Sequence, residues 1–359
     1  MDLISSLSQA CTIVMIFMCV AGIIGNILSL IIYTKPAFRR RSINILLSAL
    51  SASDLCVCCL AIPVFNIGHL QSLLPGSQKI TALIMVYLYP ITVMFQSMSV
   101  WLLVSITIDR YLAVCHPFVV RTYCTRSRAL LTVLVIIIFS VAYNFVRFWE
   151  FQFVDKETDT VEEMVQPLLR DNVKFMLWYQ NIATLLSQFV VPVVALCMLN
   201  IEVARTILKA IEQRNELVAS ERREHNTAKM MIFVVLVFLF CYTFSFILNV
   251  LEIFQSSLFR SNIGYLLNDV NNILVVVNSS STFIFYVKYS TRYRNQLRTL
   301  YGIRWFTSRL KFTDRHRKSD SLTAKQYTGT PIVKSSCYSD IQGSFIGPAD
   351  RMIASHVSS

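Results

Sequence analysis

Residues 10–33 read ACTIVMIFMCVAGIIGNILSLIIY, an apolar run without a charged side chain. A helix of that length, at about 1.5 Å per residue, crosses the roughly 30 Å hydrocarbon core of a bilayer. The run is too long for a signal-peptide core, no basic run precedes it, and no A-x-A cleavage pattern follows it. We therefore interpret it as a retained membrane-spanning helix.

The composition of the 359-residue chain agrees with a membrane protein. Hydrophobic residues make up 55% of it and charged residues 15%, whereas soluble domains carry about 25% charged residues. Ten cysteines are too sparse for a disulfide scaffold. The net charge of +12 does not indicate nucleic-acid binding, because the basic residues lie between apolar segments and in residues 288–359 rather than in a patch interleaved with aromatics.

Six further apolar stretches follow the first. The seventh has the lowest hydropathy, since it contains Asn271, Asn272, Asn278 and a Ser/Thr run, and a loop is the alternative there. The predicted fold is all-α, a seven-transmembrane-helix bundle over 10–287, after a short extracellular N-terminus at 1–9. The predicted spans lie near 10–34, 43–70, 80–114, 129–149, 173–205, 225–256 and 262–287.

The distribution of Lys and Arg predicts the orientation. Segments 35–41, 110–128, 201–229 and 288–359 carry 4, 4, 6 and 13 of them, which is 27 of the 33. These segments are therefore expected in the cytoplasm, with the N-terminus outside. Residues 288–304 read as an amphipathic juxtamembrane helix on the anionic inner leaflet, and 305–359 as a disordered cytoplasmic tail.

The opposite side of the bundle is acidic. Segment 147–174 holds seven acids against four bases, and Glu252 and Asp269 add two more near the outer ends of the sixth and seventh spans. An acidic surface attracts cationic ligands. For the 155–163 run, a solvated loop is the alternative.

Several polar side chains lie inside the spans, where each needs an internal partner. Asp54 lies midway along the second span, and an interior-facing set around it would comprise Asn26, Ser99, Asn278 and Ser279. Such a set predicts either a site for a small cation such as sodium or a network of interhelical hydrogen bonds that responds to activation.

The third span ends in Asp109-Arg110-Tyr111. Arg110 is expected to pair with Asp109 and to reach Glu224 at the start of the sixth span, which would close the cytoplasmic face. Two unrelated charges at the membrane interface are the alternative.

In these residues the chain resembles the rhodopsin-like (class A) G-protein-coupled receptors over nearly all of 10–301. Within that class it is most similar to the FMRFamide-type neuropeptide receptors of invertebrates, on the run from Tyr143-Asn144 through Arg147-Phe148 to Glu150. The motifs that carry the wider resemblance are Gly25-Asn26, Asp54, Pro63, Asp109-Arg110-Tyr111, Pro192, Glu224, Phe238, Asn278-Ser279, Tyr286 and the amphipathic stretch from Tyr289 to Tyr301.

The chain also departs from the family pattern. Such receptors usually join the third helix to the second outer loop by a disulfide, but Met85 occupies the helix position and 150–172 contains no cysteine. The tryptophan-proline turn of the sixth helix reads Cys241-Tyr242-Thr243-Phe244, and the Asn-Pro pair of the seventh reads Thr282-Phe283. These departures concern the activation machinery rather than the fold.

The resemblance implies a ligand pocket between the outer halves of the helices. Thr92 and Val276 occupy the positions of an amine receptor's acid and an opsin's lysine, so neither chemistry is expected. Acids suit a cationic, amidated peptide, although Glu150 could instead pair with Arg147 three residues before it. For each candidate, bundle core or lipid contact is the alternative. The candidates are Thr92, Gln96, Glu150, Tyr242, Phe246, Asn249, Glu252, Asn268, Asp269 and Asn272.

The expected function follows from the same resemblance. It implies a plasma-membrane receptor, not an enzyme, without cofactor or metal, that binds an extracellular neuropeptide and activates a heterotrimeric G protein. Arrestin and receptor kinases are expected at the Ser/Thr-rich tail. A chemosensory receptor for small external molecules is the alternative, whereas a transporter is disfavoured because we find no inverted repeat. The expected activation switch comprises Asp109, Arg110, Tyr111, Glu224, Tyr242 and Tyr286.

Overall fold

Seven long helices lie in the part of the chain that the structure describes, as predicted. The computed structural model describes residues 2–36, 38, 41–66, 76–155, 161–213, 219–255, 258 and 261–301. Within those residues, seven helices are long and apolar enough to cross a membrane. They are α1 (Asp2–Tyr33), α2 (Ser42–Phe65), α3 (Gln78–Cys115), α4 (Arg126–Trp149), α5 (Val173–Phe175 through Val191–Gln213), α6 (Ala219–Phe254) and α7 (Asn262–Tyr289).

The helices differ in regularity. A wide π-helical segment, Ile84–Leu88, interrupts α3, and two more, Met176–Ala183 and Leu186–Val190, lie in α5. The last turn of α4 is a 3-10 helix, Phe145–Trp149, whereas α6 is an uninterrupted α-helix. Wide turns of this kind are often found at functional sites.

The first helix begins at Asp2, before the first predicted span. A helix satisfies its own backbone groups, so it can extend beyond the apolar stretch that crosses the hydrocarbon. The seventh span, for which a loop was the alternative, is the helix α7 and confirms the prediction. Its polar residues are accommodated by turning inward, as the buried Ser279, Ser280 and Thr282 illustrate.

A short helix, α8 (Thr291–Tyr301), follows α7 after Ser290. Its buried Tyr293 and Leu297 belong to the main apolar core, and the Tyr293 ring lies 5.7 Å from that of Tyr33. The predicted tail and its phosphorylation sites, at 305–359, lie outside the described residues, which end at 301.

Short elements connect the helices at both ends of the bundle. Pro117–Tyr123 forms a brief helix between α3 and α4, and Val161–Met164 forms another between α4 and α5. Strands β1 (Phe151–Phe153) and β2 (Val165–Pro167) pair antiparallel after α4.

The β1–β2 hairpin packs on the first turns of α3 through apolar side chains. Met164 and Val165 form a buried cluster with Ala82 and Val86, and Met85 packs against it. Apolar contact therefore joins hairpin and helix where the family usually has a disulfide. Among the described residues all nine cysteines are free.

The bundle's main core and its exposed surface are both apolar. On α4, for example, Leu131 and Ile138 are each 59% exposed, as expected for side chains that face lipid rather than water. The backbones of α1 and α7 approach closely because two glycines of α1 carry no side chain. A Cβ at Gly25 would lie 2.7 Å from Cγ and 2.8 Å from Cβ of Phe283, and one at Gly22 would lie 2.9 Å from Cβ of Ser280.

We expect Gly25→Ala to destabilise the bundle by about 1–3 kcal/mol, because the added methyl overpacks against the near side of the Phe283 ring. The measurement is the midpoint of thermal inactivation in detergent, together with surface expression. Ala21→Val, which adds more volume at an exposed position of the same helix, is the control and should leave both unchanged. A midpoint of thermal inactivation in Gly25→Ala equal to that of the native protein would show that α1 and α7 are less closely packed than described.

Candidate functional site

A buried ion pair organises the end of the bundle at which α4 finishes, called here the Glu150 end. Arg147 and Glu150 are 3% and 1% exposed, and Arg147 Nη1 donates to Glu150 Oε1 at 2.9 Å. Burial of unpaired charges would be very costly, so each of these residues depends on the other. The structure therefore contains the intrahelical pair that was the alternative to ligand contact for Glu150.

Arg147 also joins α4 to α5. Its Nη1 donates to Gln180 Oε1 at 2.8 Å and its Nη2 to Thr184 Oγ1 at 3.3 Å, while its guanidinium lies 5.5 Å from the ring centre of Tyr179. Gln180 and Tyr179 lie in the first π-helical segment of α5. The wide turns of α5 thus present their side chains to one buried cation.

The two oxygens of Glu150 have different surroundings. Oε1 accepts from Arg147, whereas Oε2 is buried without a hydrogen-bond partner among the described residues. Arg170 Nη1 lies 3.9 Å from Oε2, and the Arg170 side chain is 37% exposed. Burial raises the pKa of the Glu150 carboxyl, and the two arginines oppose that shift.

Asp269 lies on α7 at the same end of the bundle. Its Oδ2 accepts a hydrogen bond from Ser8 Oγ of α1 at 2.7 Å, and its side chain is half-buried. Because α1 begins at Asp2, it includes Ser8, the hydrogen-bond partner of Asp269. The side chain of Glu252, the third predicted acid, lies outside the described residues.

Farther into the bundle, aromatic and amide side chains from α3, α5 and α6 meet. Tyr242 is buried and hydrogen-bonds Gln96, and the Phe246 ring stacks on that of Phe189 at 4.7 Å between centres. Thr92 is buried, but its hydroxyl donates to the carbonyl of Leu88 within α3.

The remaining predicted pocket residues are more peripheral. Asn272 is half-buried, and Asn249 and Asn268 are exposed. The neighbouring Asn271, which was not among the candidates, accepts a hydrogen bond from Ser245 of α6 instead. The predicted set is therefore brought together only in part.

The polar residues around Asp54 form a connected set between α2, α3 and α7. Asp54 Oδ1 accepts from Ser99 Oγ at 2.6 Å, and Oδ2 from Thr282 Oγ1 at 3.4 Å. Ser279 hydrogen-bonds the same carboxylate, and its carbonyl accepts from Asn26 Nδ2 at 3.1 Å. Hydroxyls thus supply this carboxylate's contacts.

Asn278 was predicted in the same set. Its backbone carbonyl accepts hydrogen bonds from the hydroxyls of Ser281 and Thr282 within α7. Thr282, which stands where the family has asparagine, provides the side-chain contact with Asp54 instead.

At the opposite end of the bundle, the Arg110 end, Asp109 is buried between two donors. Arg110 Nη2 donates to its Oδ2 at 2.7 Å, as predicted from sequence, and Ser42 Oγ at the start of α2 donates to its Oδ1 at 2.7 Å. The Tyr111 hydroxyl lies 3.0 Å from His116 Nε2. The side chain of Glu224 lies outside the described residues.

The Cys124 thiol, between α3 and α4, lies close to the Asp109 carboxylate. Burial and the neighbouring carboxylate raise the pKa of its thiol to about 11, so the thiol stays protonated at neutral pH. The buried ring of Tyr286 packs edge-on to that of Tyr33, with 5.4 Å between the ring centres, and lies 5.8 Å from the ring of Tyr293.

Comparison with known proteins agrees with this architecture. The profile of the 7 transmembrane receptor (rhodopsin family) matches residues 25–282, more than half of the chain. The chain belongs to the rhodopsin family of seven-transmembrane receptors. Like its relatives, this receptor is not an enzyme, and its seven spans make it a multi-pass plasma-membrane protein.

The receptor is similar to several named proteins. The FMRFamide peptide receptor frpr-18 of Caenorhabditis elegans is 38% identical over 298 residues, which are 80% of this chain and 68% of that protein. The FMRFamide receptor of Drosophila melanogaster is 32% identical over 286 residues, 77% of this chain but 50% of the fly protein. The probable G-protein coupled receptor frpr-1 of Caenorhabditis elegans is 24% identical over 297 residues, 77% of this chain and 75% of that protein.

Sequence reasoning missed several contacts of the receptor. Ser42 follows a basic run, and nothing in its neighbours indicates that it reaches Asp109. Gln180 and Thr184 are spaced four residues apart on one face of a predicted helix, a signal of a shared partner that could have been noticed. Arg170 gave no signal, because the sequence does not specify which loop residue folds back onto Glu150.

We expect Arg147→Gln to reduce stability and surface expression strongly, by roughly 3–5 kcal/mol, because it leaves Glu150 buried without its main partner. The double variant Arg147→Gln/Glu150→Gln should recover part of that loss, since no buried charge remains. Thermal inactivation in detergent measures both.

The control is the exposed pair of the same spacing, Glu202 and Arg205, which are 52% and 64% exposed. Arg205→Gln should shift the midpoint little, because exposed pairs contribute about 0–1 kcal/mol. Equal losses in Arg147→Gln and Arg205→Gln would contradict a special role of the buried pair.

Proposed function

We propose that this receptor binds an extracellular FMRFamide-like neuropeptide, cationic and amidated, and in response activates a heterotrimeric G protein. The observation that carries the proposal is the 38% identity to a nematode FMRFamide peptide receptor over 80% of this chain. A fly FMRFamide receptor gives independent support at 32% identity. The acids of the Glu150 end provide a chemical reason, since they would attract a cationic ligand.

The orientation is part of the proposal. Of the 33 Lys and Arg residues, 27 lie in the segments at the Arg110 end and in residues 288–359, which favours the cytoplasm for these parts. The N-terminus and the Glu150 end are then outside. An amphipathic α8 with basic side chains suits contact with anionic lipid of the inner leaflet.

The proposed peptide site lies between the Glu150 end and the aromatic residues below it. Amidation removes the terminal carboxylate of a peptide, so an Arg-Phe-amide ending presents a cation and an aromatic ring. Asp269, Glu252 and Glu150 would pair with the arginine. The aromatic and amide side chains would surround the rest of the ending, from Thr92, Gln96, Tyr242, Phe246, Asn249, Asn268 and Asn272.

The proposed G-protein site is the Arg110 end. Asp109, Arg110 and Tyr111, with Glu224 on α6, would hold this face closed until α6 moves outward, and Tyr242 and Tyr286 would change their packing in the same step. The Asp54 set would respond to it through its hydroxyl contacts. Receptor kinases and arrestin are proposed partners of the tail.

The experiment that tests the ligand is a calcium or cAMP assay in transfected cells against a library of amidated peptides that includes Arg-Phe-amide members. We expect a potent response that Asp269→Asn weakens by about tenfold or more, because a charged contact is lost. The asparagine oxygen can still accept from Ser8, so the fold should be unaffected.

Asp171→Asn is the matched control, since Asp171 is an exposed acid at the same end, and it should leave the response nearly unchanged. Equal effects of both variants would indicate general electrostatic attraction rather than a contact. No response to any peptide, with surface expression confirmed, would favour the chemosensory alternative.

For the cytoplasmic face we expect Ser42→Ala to raise ligand-free signalling severalfold. Ser42 fixes the Asp109 carboxylate that holds Arg110, and a hydrogen bond to a charged group contributes about 1.5–3 kcal/mol. Ser51→Ala is the control, because this buried serine of α2 donates only to the carbonyl of Leu47 in its own helix. Basal activity that stays equal in both variants, at equal surface expression, would contradict a closing role for Asp109.

A further inference from the structure

The charges around Glu150 do not balance. One buried carboxylate has two arginines, Arg147 at 2.9 Å and Arg170 at 3.9 Å. A cationic peptide that approached this site would meet a net positive cluster, and repulsion would oppose the contact that makes Glu150 useful to it. Glu150 can therefore receive a ligand's arginine only if one of its own arginines leaves.

The two arginines are held very differently. Arg147 is buried and donates to Asn144, Glu150, Gln180 and Thr184. Arg170 is 37% exposed, and its distance from Glu150 Oε2 is that of an ion pair without a hydrogen bond. The Arg170 guanidinium also lies over the ring of Phe151, 5.3 Å from the ring centre. Arg170 is thus the arginine that can move into solvent at small cost.

Within the described part of the chain, Glu150 Oε2 is also the carboxylate oxygen without a hydrogen bond. It is buried, and a carboxylate oxygen can accept two. A guanidinium in better geometry would satisfy it, and replacing one arginine with another leaves the charge of the site unchanged. The existing Arg170–Phe151 pair already resembles the arginine and phenylalanine of the proposed peptide ending.

We propose that Arg170 occupies, in the ligand-free receptor, the place at Glu150 that the arginine of the peptide takes on binding. Arg170 is then an internal competitor that lowers the apparent affinity for cationic peptides and excludes weaker cations. This inference rests on the proposed function. It adds that the site is preformed and occupied by the receptor's own side chain.

The test compares Arg170→Gln with the native receptor, using an activating Arg-Phe-amide peptide and the same peptide with citrulline in place of arginine. Citrulline keeps the length and shape of arginine but carries no charge. Removal of the competitor should lower the half-maximal concentration of the arginine peptide roughly two- to tenfold, the range of the weak ion pair and cation–π contact that are lost. The citrulline peptide should gain nothing.

Two further variants complete the design. Lys174→Gln removes one positive charge from an exposed side chain at the same end, so it measures the effect of charge alone. Arg170→Lys keeps the charge and should stay close to the native receptor. Surface expression is measured for each, so that a folding defect is distinguished from a change in affinity.

The outcomes are separable. An unchanged or higher half-maximal concentration in Arg170→Gln, an equal gain in Lys174→Gln, or an equal gain for the citrulline peptide would each overturn the exchange while the native receptor still responds. Silence of the native receptor to all amidated peptides would instead overturn the proposed function and the exchange together.

Discussion

The need of every buried polar group for a partner inside the protein governs this structure. Lipid offers no hydrogen bonds, so a side chain such as Asp54 can lie in a span only if neighbouring helices supply donors. Ser99 and Thr282 do so from α3 and α7. The same constraint explains why Arg147, at the Glu150 end of the bundle, donates four hydrogen bonds. Polar contacts therefore fix which helices are neighbours, while apolar packing fixes their distance.

The sequence predicted the seven spans and the short helix after them because hydrocarbon thickness sets the length of an apolar run. It predicted the neighbours of single residues less well. In lipid both faces of a helix are apolar, as the exposed Leu131 and Ile138 of α4 illustrate, so hydropathy does not reveal how a helix is rotated about its axis. Contacts between adjacent residues, such as Asp109 with Arg110, were accessible, whereas Ser42 with Asp109 depends on helix rotation.

Departures from the family pattern are compensated by local chemistry. Threonine at 282 replaces an amide near Asp54 and still provides a hydroxyl to the carboxylate. Met85 stands where a disulfide cysteine is usual, and apolar packing of Met164 and Val165 joins the hairpin to α3 instead. A disulfide would constrain the chain in every state, whereas apolar packing can rearrange. The hairpin that precedes Arg170 is consequently held to the bundle by contacts that a ligand could alter.

Two π-helical segments interrupt α5, whereas α6 is a regular α-helix. Without a proline at 241–244, α6 is an uninterrupted helix, so one end of α6 can move only if the whole helix moves or its contacts change. The first π-helical segment of α5 contacts Arg147 through Gln180. The second contains Phe189, whose ring stacks on that of Phe246 in α6. Direct contacts therefore join Arg147 to α5, and α5 to α6. Under the proposed exchange at Glu150, a ligand that alters the charge around Arg147 would act on α6 through these two contacts and through the part of α5 between them.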